Sequence, residues 1–232
     1  MVGVLITGLA IGALYAATAL AYNVMYSTSK VLSVTTGHLA MLGGVFGAWF
    51  MSALGWHPVL ALFGSLVVGA FAGWLTDVIA IRRVLARSDE HLWLLSTLAL
   101  ATIVQQGVAL WWGTEPKPFP RLLPQDFTAG LADQKYWLPI VTTVVMAGAL
   151  ELFYRRTLYG KLFVAMSEDA FAARSRGVET ERLRAISFVI AGALGALAGF
   201  AAGQLTFAFF AVGLTLTLNG FIALAVGGLA GC

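Results

Sequence analysis

The sequence predicts an all-α membrane protein, a polytopic helix bundle of about six to eight spans, and three observations carry this prediction. Charged residues make up only 11% of the 232 residues, against about 25% in an ordinary soluble domain. No stretch alternates between polar and apolar residues as the strands of a membrane barrel do. The charge-free stretches are long, and they cover 1–29, 31–76, 92–114, 136–150 and 185–232. This composition excludes a soluble enzyme, a disordered chain and a disulfide-stapled secreted domain.

Apolar segments follow one another along the whole chain. The segment at about 39–54 is short for a full crossing, and we expect a tilted, broken or partly re-entrant helix there. The first span lacks the basic n-region of a signal peptide, so we expect it to be retained. Because the chain stops inside an apolar stretch at Gly231 and Cys232, we expect the native protein to continue. Full spans are expected at about 2–26, 59–80, 92–112, 136–156, 185–205 and 210–230.

The distribution of positive charge predicts which loops face the cytoplasm. Loop 155–184 contains seven of the 14 Lys and Arg residues, and loop 82–91 contains three more. Basic residues collect on the cytoplasmic side of membrane proteins, which places both loops there. Loop 113–135, in which three bases match three acids, then lies outside. Residues 1–232 are thus predicted to form one transmembrane domain, and the net charge of +3 reflects its orientation and gives no support for nucleic-acid binding.

The chain carries no sequence motif for nucleotide or metal chemistry. It contains neither the Gly-x-x-x-x-Gly-Lys-Ser/Thr phosphate loop, nor the Gly-x-Gly-x-x-Gly fingerprint, nor the His-Glu-x-x-His zinc motif. The single Cys232 cannot form an internal disulfide, and the three histidines lie far apart in the sequence. We therefore predict no catalytic residue, metal ligand or cofactor in this chain. If the protein uses ATP, a partner must bind it.

Candidate residues of a solute pathway surround the start of the short second segment. They are Thr35, Thr36, Gly37 and His38, of which His38 is one of three ionisable residues placed within the spans. A broken helix frees backbone groups that can bind a polar solute, so the patch is predicted to line a pathway. The alternative is that it caps a helix at the membrane interface.

Amide side chains within the spans extend the set of candidates. Each needs a hydrogen-bond partner in lipid, so we expect all of them to face the bundle interior, as contacts between helices or as contacts to solute. Gln105 and Asn219 are the amides that we include among the pathway residues. The full set is Asn23, Gln105, Gln106, Gln204 and Asn219.

Two acidic residues stand near the ends of spans. Asp77 lies one turn before Arg82 and Arg83, and an ion pair with these bases is favoured over a role as a proton relay. Glu151 precedes Arg155 by four residues, a spacing that favours a helical ion pair of about 0.2–0.5 kcal/mol. Since no span carries a series of acids, a proton-coupled mechanism has little support.

Glycines recur at four-residue spacing in several spans. This spacing puts small residues on one helix face, where two backbones can approach closely in lipid. It predicts tight packing inside one bundle, with a dimer seam as the alternative. Such sets are Gly8 and Gly12, Gly43 and Gly47, Gly69 and Gly73, and Gly195, Gly199 and Gly203.

The basic loop 155–184 contains the strongest local signal. Its residues 160–177 include good helix formers and no proline, and apolar residues alternate there with charged ones. These features predict a short amphipathic helix that docks onto another protein, or alternatively one that lies on lipid headgroups. The candidate coupling residues are Gly160, Glu168, Asp169, Ala172, Ala173 and Gly177.

Several motifs resemble those of one transporter family, the LivH-type permease subunits of branched-chain amino acid ABC importers. The resemblance covers essentially the whole chain and is most specific in the basic loop. The matching residues are Gly12 to Ala16, Gly37 with Met41, Leu42 and Gly43, Gly113 to Pro116, Thr157 with Gly160, Asp169, Ala172 with Ala173, Gly177 with Val178, and Phe221 with Ala223, Gly227 and Gly228.

This resemblance implies a fold, a function and a set of partners. The fold would be that of a type II ABC importer permease in the bacterial inner membrane. A second, LivM-like permease subunit would complete the pathway, two cytoplasmic ATPase subunits would bind the ATP, and a periplasmic binding protein would deliver a branched-chain or related amino acid. Residues 160–177 would transmit the ATPase movement. The alternatives are a permease for urea or short amides, an ion-coupled secondary transporter, and a membrane scaffold that transports nothing.

Overall fold

The computed structural model describes residues 2–85, 92–122 and 134–227, and these ranges are almost wholly helical. Predictions about residues 86–91, 123–133 and 228–232 lie outside the described ranges. One antiparallel bridge joins Lys117 to Ala208. The helices are α1 (Val2–Ser29), α2 (Thr36–Ser52), α3 (Pro58–Thr76), a π-helical segment (Asp77–Ile81), α4 (Arg82–Leu85), α5 (Leu92–Trp112), α6 (Gln134–Arg156), α7 (Leu158–Glu168), α8 (Ala170–Ser175), α9 (Thr180–Thr206) and α10 (Val212–Gly227).

The predicted all-α, polytopic class is confirmed. Five helical stretches among the described residues are long and apolar enough to cross a membrane, and α10 is a shorter apolar helix. Helix α1 extends three residues past the predicted end of the first span, and the hydroxyls of Ser27, Thr28 and Ser29 bond to carbonyls one turn back, which satisfies these polar groups within the helix. The five stretches are Gly3–Ser29, Pro58–Ile81, Leu92–Trp112, Lys135–Arg156 and Thr180–Thr206.

Helix α9 is the central helix of the bundle, and glycines let its neighbours approach closely. A β-carbon at Gly69 or Gly73 of α3 would collide with the backbone of α9 around Gly192. Gly43 of α2 likewise faces the backbone of Ala196. The predicted glycine packing inside the bundle is therefore confirmed for α2, α3 and α9. In α1 the space around Gly8 and Gly12 is open, so these two glycines make no such contact within the described chain.

Helix α2 begins inside the bundle and not at the end of α1. Lys30, with a left-handed φ of 54°, follows the last residue of α1 and turns the chain. The next residues are not helical, yet Ser33 and Thr35 are buried. Thr36 Oγ1 lies 3.4 Å from the sulfur of Met25, about one turn inside α1. This arrangement agrees with the expectation of a broken or re-entrant helix.

The helices end at two opposite faces of the bundle. We call the face formed by residues 77–85 and 157–180 the basic end, where Arg82 pairs with Glu181 at 3.1 Å. We call the other face the tryptophan end, where Trp112 Nε1 donates to the carbonyl of Ala208 at 3.2 Å. The described parts of loops 82–91 and 155–184 therefore lie at one end and those of loop 113–135 at the other, as the charge distribution predicts.

Candidate pathway and coupling sites

A cluster of polar side chains lies where α1, α2 and α10 meet. We call Tyr22, Thr36, Gly37, His38, Gln105 and Thr217 the polar centre. Tyr22 donates its hydroxyl to the carbonyl of Thr217 at 3.2 Å, which ties α1 to α10. Thr217 Oγ1 lies 3.1 Å from the carbonyl of Val34 and 2.9 Å from that of Gly213. The start of α2 is thus held against α10 by hydroxyls and backbone carbonyls, and not by charges.

Gly37 permits this contact between α2 and α10. A β-carbon at position 37 would collide with the backbone nitrogen and the hydroxyl of Thr217 and with the carbonyl of Gly213. On the facing helix, a β-carbon at Gly213 would lie 2.8 Å from the ring of His38. The predicted pathway residues Gly37 and His38 are therefore packed against α10, and this contact requires glycine at positions 37 and 213.

His38 connects the polar centre to α5. Its ring is buried, and Nε2 lies 3.2 Å from Oε1 of Gln105. The other ring nitrogen, Nδ1, is also buried and has no hydrogen-bond partner of ordinary geometry among the described residues. The backbone of Val34 also interacts with this imidazole, so the ring lies between α5 and the segment that precedes α2.

The remaining pathway candidates differ in position. Thr35 is buried beside Ser33, with their hydroxyl oxygens 2.6 Å apart. Asn219 is half-buried and donates to the carbonyl of Thr215 in its own helix, a bond that does not reach the polar centre. Gln106 faces outward from α5, and the expectation that every span amide faces the interior is wrong for this residue. Sequence reasoning missed Tyr22 and Thr217, whose only signal was a hydroxyl within an apolar span.

The coupling segment Thr157–Thr180 forms two helices at the basic end, and the single helix predicted for 160–177 is wrong. Asp169 has an extended backbone between α7 and α8. Its carboxylate accepts hydrogen bonds from the backbone nitrogens of Phe171 at 2.8 Å and Ala172 at 3.0 Å. An aspartate that caps the next helix in this way competes with continuation of the previous one. Gly177 follows α8 with a left-handed φ of 83°.

The two faces of the coupling segment have different environments. Gly160 and Ala173 are buried, and Gly160 packs against the end of α6, so they hold the segment on the bundle. The other predicted coupling residues, Glu168, Asp169, Ala172 and Gly177, are exposed, and so is Phe171, whose surface is 82% exposed. The predicted coupling residues therefore divide into two supporting residues and four surface residues. Phe171, the largest exposed side chain of α8, was not among them.

Asp77 forms a buried ion pair with a distant arginine. Its Oδ1 accepts from Nε of Arg184 at 2.7 Å, and the two side chains are 3% and 12% exposed. The predicted pairing of Asp77 with Arg82 is wrong, because Arg82 pairs with Glu181 and the Asp77 side chain faces α9. The side chain of Arg83, the other predicted partner, lies outside the described part of the structure. The predicted pair of Glu151 with Arg155 is confirmed at 2.9 Å on the surface of α6.

Comparison with known proteins identifies relatives along nearly the whole chain. The family model described as branched-chain amino acid transport system / permease component matches residues 4–231. The high-affinity branched-chain amino acid transport system permease protein LivH of Escherichia coli K12 is 28% identical over 96% of this chain and 77% of its own length. The high-affinity branched-chain amino acid transport system permease protein BraD of Pseudomonas aeruginosa is 26% identical over 97% of this chain and 78% of its own length.

A more distant relative belongs to a different import system. The autoinducer 2 import system permease protein LsrC of Escherichia coli is 26% identical over 87% of this chain and 57% of its own length. No solved structure matches the chain significantly. In the described residues, no group of three or more His, Cys, Asp or Glu side chains is placed to hold a metal ion.

Proposed function

Because this chain belongs to the family of permease components of branched-chain amino acid transport systems, we propose that it moves a branched-chain or related amino acid across the membrane as part of an ATP-driven importer. The chain is a multi-pass permease of the bacterial inner membrane and not an enzyme. Beyond membership of the permease family, we propose an amino acid as the substrate, ATP as the energy source and a set of partner proteins. These partners are two ATPase subunits, a second permease subunit and a binding protein that delivers the solute.

The shape of the coupling segment carries the ATP-driven part of the proposal. Asp169 caps α8, and the buried Ala173 anchors it, so that Phe171 is held outward on a fixed helix. A large aromatic side chain held rigidly in an exposed position is typical of the contacts that dominate protein interfaces. We propose that Phe171 enters a pocket of an ATPase subunit, and that loop 155–184 therefore faces the cytoplasm and loop 113–135 the outside.

The composition of the polar centre supports a small, neutral solute. Its hydroxyl, imidazole and amide groups offer hydrogen bonds and no fixed charge. An amino acid is a zwitterion with no net charge, and we propose that His38 and Gln105 contact it when the contact between Gly37 and α10 opens. Urea and short amides share the neutral, hydrogen-bonding character, and LsrC belongs to a different import system. Urea and short amides are therefore the second candidate substrates.

A docking experiment tests the coupling proposal directly. Phe171→Ala should weaken association of the ATPase subunits with the purified permease about thirty-fold, as expected for an interface residue worth about 2 kcal/mol. Leu158→Ala is a matched control, since Leu158 is also exposed in this segment, at the start of α7. Equal affinities for both variants and the unchanged protein would exclude α8 as the docking helix.

A further inference from the structure

A cavity of 630 Å³ opens at the basic end between the π-helical segment, α8 and the start of α9. Among the described residues, four arginines line it, together with three carboxylates. Each carboxylate already forms an ion pair with one of the arginines. The pairs are Asp77 with Arg184 at 2.7 Å, Glu181 with Arg82 at 3.1 Å, and Glu179 with Arg182 at 2.6 Å.

The fourth arginine, Arg174, has no carboxylate within ion-pair distance in the part of the chain that the structure describes. Its guanidinium donates from Nε and Nη2 to the hydroxyl of Thr180, at 3.4 and 3.0 Å. Thr180 is buried, so it fixes the position of the guanidinium while taking none of its charge. The formal charges of the described residues that line the cavity therefore sum to +1, located on a guanidinium that uses two of its five N–H donors in these bonds.

Part of the cavity wall belongs to an exposed side of α3. Trp74 lines the cavity and is 43% exposed. Its ring lies 5.8 Å from that of Phe71, which is exposed on the same side of the helix. Tryptophans are enriched at the depth of the headgroups, and cavities that combine an interfacial apolar wall with arginines are suited to lipid phosphates.

We propose that this cavity binds the phosphate of an anionic phospholipid, with Arg174 as the principal contact and Trp74 against the glycerol and the first acyl carbons. The shared chemistry is that of a phosphate anion, which free phosphate in the cytoplasm also supplies. The lipid is favoured because the cavity continues into the apolar surface of Trp74 and Phe71, which a free anion would leave in contact with water or lipid. Arg174 belongs to α8, so the bound lipid links the coupling segment to the membrane.

Equilibrium binding of fluorescent phosphatidylglycerol to the purified chain in detergent tests this proposal. Phosphatidylglycerol should displace the probe more strongly than phosphatidylcholine. Arg174→Gln should weaken the binding of phosphatidylglycerol about five-fold, which is the effect of removing one basic residue near an anionic lipid surface. Arg176→Gln removes the same charge from an exposed residue that does not line the cavity, and binding should stay within about two-fold.

Two further variants keep the test decisive if Arg174→Gln fails to fold. Arg174→Lys retains the positive charge and should bind within about two-fold of the unchanged protein. Thr180→Val removes the hydroxyl that positions the guanidinium and should weaken binding as Arg174→Gln does. Equal losses at positions 174 and 176, or equal binding of both lipids, would overturn the proposal. Displacement of the lipid by millimolar inorganic phosphate would show a site for soluble anions and would overturn the lipid assignment. Because the measurement needs no ATPase, its failure leaves the transport proposal untouched.

Discussion

Asp77 and Arg184 lie 107 positions apart in the sequence and form a nearly buried ion pair of 2.7 Å between the π-helical segment and α9. Arg184 is also connected to α1, since Ser187 Oγ donates to its carbonyl and contacts the hydroxyl of Thr28. The π-helical segment, α9 and α1 are therefore connected within one turn of α9. Asp77 and Arg184 also line a cavity together with Arg174 of α8, which places the pair next to the coupling segment.

Removal of one partner of this pair should be strongly destabilising. Asp77→Asn leaves the Arg184 guanidinium buried without a counter-charge, which we expect to lower the free energy of unfolding by about 3–5 kcal/mol. Glu181→Gln disrupts the exposed pair with Arg82 and should cost less than about 1 kcal/mol. Denaturant titration of the purified variants measures both values. Comparable costs would mean that the Asp77 pair is as solvated as the surface pair.

The neighbouring residues Gln105 and Gln106 distinguish a pathway role from helix packing. Gln105→Leu removes the hydrogen bond to His38, which should reduce solute uptake by assembled transporter about ten-fold, since an unpaired buried polar group costs about 1–3 kcal/mol. Gln106→Leu places an apolar side chain on the outward face of α5 and should leave uptake unchanged. Uptake is measured per folded transporter. If Gln105→Leu lowers only the amount of folded protein, the His38 contact serves packing alone.

Two substitutions of glycine by alanine should change the stability of the protein in opposite directions, because Gly69 lies at the contact of α3 with α9 and Gly107 lies in open space on α5. Gly69→Ala inserts a methyl group against Gly192 and Ala196, and the overpacking should destabilise the protein by about 1–3 kcal/mol. Gly107→Ala adds the same group in open space on α5, where the better helix propensity of alanine should be neutral or stabilise by up to about 1 kcal/mol. Midpoints of thermal unfolding report the sign of each change. A stable Gly69→Ala protein would contradict the packing described for this interface.

The capping role of Asp169 at the start of α8 can be tested by replacing it with a residue that cannot cap and with another that can. Asp169→Ala removes the acceptor for the backbone nitrogens of Phe171 and Ala172, and should weaken ATPase association about five-fold, from a loss of about 1 kcal/mol. Asp169→Ser can cap the helix without a charge and should restore most of the affinity. If serine fails as alanine does, the carboxylate contacts the ATPase and its capping role is secondary.

Local hydrophobic pattern predicts most of the fold, because each span is specified by its own sequence. The span predicted at 92–112 corresponds to α5, Leu92–Trp112. The predicted helix ends are wrong where a polar side chain forms a hydrogen bond with the backbone. The hydroxyls of Ser27 and Thr28 bond within α1, which continues past the apolar run, and the carboxylate of Asp169 caps α8 where the coupling segment divides in two. Such bonds depend on backbone geometry that a hydropathy pattern does not contain.

Contacts between distant residues explain what the sequence leaves open at the candidate sites. Asp77 has two basic residues one turn away, and only the packing of α3 on α9 shows that Arg184 is its partner. Likewise, Gln105 and Gln106 are adjacent amides, and their different environments follow from the rotation of α5 about its axis. The sequence left open whether His38 lies on a pathway or at the membrane interface. Its burial and its contact with Gly213 follow from the start of α2 lying deep in the protein.

Uptake of labelled leucine into proteoliposomes tests the central claim most directly. The vesicles contain this permease with its second permease subunit and two ATPase subunits, and binding protein is present on the side of the tryptophan end. We predict uptake that requires ATP on the side of the basic end, is abolished without binding protein and is unaffected by collapse of ion gradients. Uptake driven by an ion gradient without ATP would contradict the account and would support a secondary transporter.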